Sequence, residues 1–141
     1  MFGPPGHAYV YPIHSRYCLN AVTCEAGIAS AVLIRAVEPL QGIALMQGRR
    51  RCLQVRDIAR GPARLCEAFA IDRRLDHWNL ARGQRLWIGD DPAGRPSPAD
   101  IGRSTRIGVT AGHDLPLRFF WRRCPFVSGP RGWTYAEESP A

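Results

Sequence analysis

The chain contains no lysine. All nineteen of its basic residues are arginine, set against twelve acidic ones, which leaves a formal net charge of +7 over 141 residues. The absence by itself assigns no mechanism, but arginine presents fork-shaped donors suited to phosphate, and the cationic excess favours a polyanionic partner. No Cys-x-x-Cys pair occurs, and the five cysteines (Cys18, Cys24, Cys52, Cys66, Cys124) and four histidines show no zinc spacing. Free thiols in a reducing compartment and no bound metal are therefore predicted, with a cytoplasmic location. No apolar run approaches the length of a membrane span. There is no GxSxG elbow, no P-loop, no HExxH and no zinc-deaminase pattern, so the common hydrolase and nucleotide-binding signatures give no support. Internal repeats are also lacking.

What is present is a globular composition, 45% hydrophobic, long enough for one domain with its own core. The stretch Gly6–Asn20 organises it. Ala8–Ile13 is rich in β-branched and aromatic residues, His14-Ser15-Arg16 forms a polar tip, and Tyr17–Val22 resumes the apolar run, which predicts a β-hairpin. Tyr9, Tyr11 and Tyr17 are either core residues or stacking faces, and the tip is either a solvated turn or an imidazole–guanidinium pair offered to a nucleic acid. A strand this apolar, beginning so close to Met1, requires neighbours.

Along the chain, Ala29–Val37 is a nearly continuous apolar run interrupted by Arg35, and predicts a central strand buried on both faces. Arg35 is either salt-bridged, with Glu38 as the natural partner, or a ligand for phosphate at a strand end. Glu38-Pro39 opens a helix whose inner face carries Leu40, Ile43 and Ala44 and which stops at Gly48; Arg49–Arg51 read as a solvated face. Gly61-Pro62 starts a second helix with Leu65, Cys66 and Phe69 together, and Arg64 in its first turn is a candidate phosphate contact. Ile71–Leu80 reads as irregular or weakly helical, Arg85–Ile88 as a short strand and Asp90–Gly102 as a proline- and glycine-rich loop. Thr105–Val109 and Leu115–Trp121 read as strands, and residues from Gly129 onward as a tail. The sum is an α+β fold, a single mixed domain over residues 1–128 with a strand-dominated core and a few helices.

The blocks MFGPPGHAYVYPIHSRYCLN, VLIRAVEPLQG, GPARLCEAFAI, TRIGV and LPLRFFWRRCPFVS, in that order, cover nearly all of residues 1–128. In them the chain resembles the alkyladenine (3-methyladenine) DNA glycosylases of the mammalian type. The resemblance implies a base-excision repair enzyme that flips an alkylated or deaminated purine out of duplex DNA and hydrolyses its N-glycosidic bond, as a monomer and without metal or cofactor. His14 stands where the family has the DNA-intercalating wedge, and Tyr11 where it has the aromatic that stacks on the extruded base. Asn20 matches the pocket asparagine that rejects the exocyclic amino group of guanine, and Arg35 the arginine near the flipped nucleotide's phosphate, which decides the earlier alternative toward function. Tyr9 and Tyr17 match positions read as structural.

Three departures qualify it. Ser15-Arg16 replaces the small–hydrophobic pair expected after the wedge, so Arg16 adds a candidate phosphate or groove contact. Pro12 removes a ladder donor, tolerable at a sheet edge. The family's general-base glutamate, a second pocket tyrosine and a base-contacting histidine all lie upstream of the segment matching Met1, and neither Glu38 nor Asp114 is a matching substitute. The chain resembles only the C-terminal two-thirds of a family domain. The expectation is an incomplete chain whose Met1 is an internal methionine; the alternatives are a decayed product that folds poorly and a remnant that binds lesions without cutting them.

Overall fold

The computed structural model describes residues 1–92 and 94–129. Its elements make an α+β fold, as expected: strands β1 (Ala8–Ile13), β2 (Arg16–Val22) and β3 (Ala31–Leu33), helices α1 (Ile43–Arg50) and α2 (Pro62–Ala68), then strands β4 (Ile101–Ser104) and β5 (Arg118–Trp121). The chain divides into two compact units, Met1–Gly89 and Asp90–Ala141. The expected tail at 129–141 lies outside the described residues apart from Gly129.

The first unit holds an antiparallel sheet in the order β1-β2-β3. Ala8, Val10, Leu19, Ala21 and Tyr17 point to one side of the hairpin and join a core with Met46, Ile58, Leu65, Cys66, Ile71 and Leu80. The period-two alternation of β1 and β2 puts these residues on one face without exception. Burial pushes the Cys66 thiol up to about 12, so it behaves there as a small neutral hydrophobe.

The neighbours that β1 requires come from later in the chain. Ala8 N–H donates to Trp78 O at 2.8 Å, His77 N–H to Ala8 O at 2.9 Å and Leu80 N–H to Gly6 O at 2.9 Å. Val10 N–H donates to the Asp76 carboxylate at 2.9 Å, so a side chain finishes the row of paired groups along this edge. Pro12 follows, where the outer strand needs no further donor.

Several expected boundaries are corrected. The run Ala29–Val37 yields only the three-residue β3, an outer strand paired with β2 alone, and Val32 remains 55% exposed. Beyond Leu33 one further backbone bond, from Ile34 N–H to Leu19 O, follows β2, and an isolated backbone bridge then pairs Ala36 with Arg60. Pro39 is buried outside any helix, and α1 starts four residues later, after Gly42 in a left-handed conformation (φ 68°). Leu40 and Ala44 are exposed, whereas Met46 is the residue α1 buries, and Gly48 lies within the helix, which ends at Arg51 (φ 47°). Arg49 and Arg51 are exposed, as expected, but the run is not merely solvated: Arg49 donates to Ala68 O at 2.9 Å, and the partly buried Arg50 to Ile58 O at 3.0 Å and to Glu67, tying α1 to the segment around α2. α2 begins at Pro62 as expected, but Phe69 caps it half-exposed while Leu65, Cys66 and Ala68 are buried. Arg85–Ile88 is no strand; it wraps Trp78, whose indole N–H reaches Gln84 O and Leu86 O at 3.1 Å each.

In the second unit Thr105–Val109 is no strand: β4 precedes it at Ile101–Ser104, within the end of the expected loop, and β5 is shorter than expected, starting at Arg118 and ending at Trp121. They pair antiparallel, Gly102 opposite Phe120 and Ser104 opposite Arg118. Gly102 is obligatory there, because a Cβ would meet the Phe120 ring at 2.3 Å. Arg118 is buried beneath that ring, its guanidinium 4.6 Å from the centroid, and donates to Ser104 Oγ at 2.6 Å and Ser128 O at 2.7 Å.

The Asp76 clasp on β1 generates a prediction. Asp76→Ala leaves the buried Val10 amide without its acceptor and is expected to destabilise the first unit by about 1–3 kcal/mol, while Asp76→Asn, which keeps an acceptor oxygen, recovers most of the loss. Urea titrations check this through a lower midpoint at an unchanged slope for Asp76→Ala.

Candidate nucleic-acid interface

β1 and β2 are joined by two residues, His14 and Ser15, both with positive φ (45° and 64°). This is the backbone of a type I′ turn, whose twist matches that of the flanking strands and which normally uses asparagine or glycine. His14, Ser15 and Arg16 are all exposed, so the tip projects an imidazole and a guanidinium into solvent. Arg16 is the first residue of β2 rather than part of the turn.

The register fixes what lies behind the tip. Opposite pairs Tyr9–Asn20, Tyr11–Cys18 and Ile13–Arg16 point away from the core, onto the second face of the sheet. Tyr9 and Tyr11 stack with centroids 5.2 Å apart and planes at 25°. Both rings are half-buried, whereas Cys18 and Asn20 beside them are buried. Asn20 donates its side-chain N–H to Tyr9 O at 3.1 Å, which holds the amide in one orientation. Desolvation, and then the neighbouring Cys18 and Tyr9, raise the Tyr11 phenol above its ordinary range. Cys18 is raised as well, by burial first.

Leu33 pairs with Asn20, and Ile34 N–H donates to Leu19 O at 3.0 Å, so the extended chain beyond β3 continues along β2. Arg35 follows, partly buried, and its positive charge acts on both Tyr11 and Cys18 in the direction that lowers their pKa. One face therefore assembles Tyr11, Asn20 and Arg35, with His14 and Arg16 at the end of the same hairpin. Arg64 is not brought there. It sits on α2, which packs against β2 from the core side, and forms a 3.7 Å ion pair with Asp57. Sequence reasoning treated Tyr9 as structural and gave Cys18 no role; pairing the strands residue by residue from the two-residue turn places both beside Tyr11. Among the described residues, no carboxylate is one of the charges that perturb Tyr11 or Cys18, and no group of three or more His, Cys, Asp or Glu is placed to hold a metal ion.

A flat aromatic with a fixed amide beside it and a cation at its rim has the chemistry to stack on a planar heterocycle and to pair with an anion. In comparison with known proteins, residues 1–125 match the family model for methylpurine-DNA glycosylase. The chain belongs to the methylpurine-DNA glycosylase family. It is 46% identical over 132 residues to a protein of Mesorhizobium japonicum, covering 93% of this chain and 62% of the relative. It is 42% identical over 142 residues to one of Paraburkholderia phytofirmans, covering 100% and 65%, and 45% identical over 130 residues to one of Carboxydothermus hydrogenoformans, covering 91% and 66%. All three carry 3-methyladenine DNA glycosylase in their names. The chain thus spans less than two thirds of the length of these relatives. Among its described residues, no helix is long and apolar enough to cross a membrane.

The turn of this methylpurine-DNA glycosylase family hairpin is strained, because two residues with side chains occupy left-handed backbone conformations. Ser15→Gly is expected to stabilise the first unit by about 0.5–1 kcal/mol, relief of the left-handed backbone outweighing the extra entropy of an unfolded glycine. Thermal unfolding checks it: a raised Tm is the expected result.

Proposed function

We propose that this chain is the base-binding part of a mammalian-type alkyladenine DNA glycosylase, acting as a monomer on double-stranded DNA that contains alkylated or deaminated purines. The observation that supports this most is the hairpin itself, an exposed cationic tip carried by the same two strands that hold Tyr11 and Asn20 side by side. His14 enters the stack where the damaged nucleotide leaves it. Tyr11, backed by Tyr9, stacks on the extruded base, and electron-poor alkylated purines gain most from that ring face. Asn20, with one amide hydrogen engaged by Tyr9 O, presents a fixed group that crowds a guanine amino substituent. Arg35 and Arg16 hold phosphates on either side, and Arg64 contributes a further phosphate contact.

Hydrolysis then breaks the bond between the sugar C1′ and the base nitrogen. Water supplies the new C1′–O bond, its proton passes to a carboxylate, and the electron pair of the broken bond leaves with the base. Such an oxocarbenium-like reaction runs on water and a carboxylate and calls for no cofactor. We propose that this carboxylate is the family's general-base glutamate, which the resemblance places upstream of the segment matching Met1. The site of action is chromosomal DNA, in the cytoplasm or its nucleoid.

Duplexes carrying hypoxanthine or ethenoadenine test this. The 141-residue chain is expected to excise little or nothing, whereas a form extended upstream to the relatives' full length excises the base, and Tyr11→Ala in that form weakens lesion binding by about 10–100-fold. An extended form that binds duplex normally yet never releases a base would overturn the enzyme and leave a lesion-binding module.

A further inference from the structure

On the flank of the first unit, three arginines from separate segments gather around one carboxylate. Arg56 and Asp57 belong to a short 3-10 turn at Val55–Asp57, Arg60 follows the buried pair Ile58-Ala59, and Arg64 stands in the first turn of α2. The Ala36–Arg60 bridge fixes the chain at Arg60. Gly61, just before α2, has a backbone conformation (φ 142°) that residues with side chains rarely adopt. Arg64 Nη1 lies 3.7 Å from Asp57 Oδ1, both side chains being nearly half exposed. Burial, then Arg56 and also Arg64, hold the Arg60 guanidinium below its ordinary range, with Asp57 acting the other way. A ligand with several anionic oxygens interacts favourably with all three guanidinium charges at once.

α2, whose first turn carries Arg64, adjoins the hairpin tip. An open concavity of about 300 Å³ is lined by Ser15, Arg16 and Tyr17 from the tip and by Ala63, Cys66 and Glu67 from α2. The one acid in it, Glu67, is paired with Arg50. We propose that Arg56, Arg60 and Arg64 form a second anion site that holds the sugar–phosphate backbone of duplex DNA beyond the nucleotide at the tip. The inference rests on the DNA reading above and deepens it: Arg56 and Arg60 join Arg64, and the site lies on the core-side flank of the hairpin, apart from the face that carries Tyr11 and Asn20.

Binding of the 141-residue chain to an ethenoadenine duplex and to the same duplex undamaged, measured from low to moderate salt, tests it. The variant R56Q/R60Q/R64Q is expected to lower the slope of log K against log salt by about 2–3, and Arg64→Gln alone by about 1. Both duplexes weaken together, so the preference for the lesion is unchanged. Asp57→Asn moves the other way, tightening both. Should the triple variant fail to fold, the opposed shifts of Arg64→Gln and Asp57→Asn decide the matter. A folded triple variant that keeps the wild-type slope, or single variants that shift neither slope nor affinity, would overturn the site and leave the DNA reading standing. A wild-type chain with no salt-dependent binding to either duplex would bring down the DNA reading and the site together.

Discussion

Pairing of β1 with β2 across a two-residue turn is the constraint on which the rest of the first unit depends. With Ile13 opposite Arg16, every later partner follows: Tyr11 meets Cys18, Val10 meets Leu19, Tyr9 meets Asn20 and Ala8 meets Ala21. A slip by one residue would send Tyr9 and Tyr11 into the core and Val10 and Leu19 to the other side. The core face is then sealed by α2 and by Ile58, Ile71 and Leu80, while Asp76 to Leu80 closes the outer edge of β1. The face that carries Tyr9, Tyr11 and Asn20 is the remainder. It is aromatic and polar because the core takes only the alternate positions.

Arginine does two kinds of work in this chain, which a net charge of +7 does not separate. Arg49, Arg50, Arg106 and Arg118 each donate to backbone carbonyls, at Ala68, Ile58, Gly112 and Ser128, and so act as cross-links within their units. Their planar, many-donor heads suit that task better than an ammonium would. Arg16, Arg56 and Arg64 are exposed, and Arg35 and Arg60 are held partly buried beside the hairpin and α2. This division directs attention to a few of the nineteen cations and gives the DNA reading a local rather than a global electrostatic basis.

The hairpin was legible in the sequence because its alternation and its polar tip are local signals, and both strands begin and end within a residue or two of expectation. The resemblance to the glycosylases was legible for the same reason, its motifs lying in contiguous blocks. The run Ala29–Val37 misled because continuous apolarity does not say how many neighbours a strand has; pairing on one side only left Val32 exposed. Pro39 misled because a proline compatible with a first helical turn is equally compatible with a buried extended segment, and it was Gly42, with positive φ, that set the start of α1. Asp76 and Arg60 carried no local signal. Their roles, an edge clasp on Val10 and a bridge to Ala36, join residues distant in sequence and exist only once the chain has folded.

The central claim is that the tyrosine face of the hairpin, and not its core face, receives the damaged base. Side-chain NMR of the chain bound to an ethenoadenine duplex, compared with the same duplex undamaged, tests this most directly. The account predicts that the lesion shifts the Tyr11 ring and the Asn20 side-chain amide and leaves the ring of Tyr17, on the core face, in place. Lesion-dependent shifts confined to Tyr17, with Tyr11 and Asn20 unmoved at saturation, would contradict it.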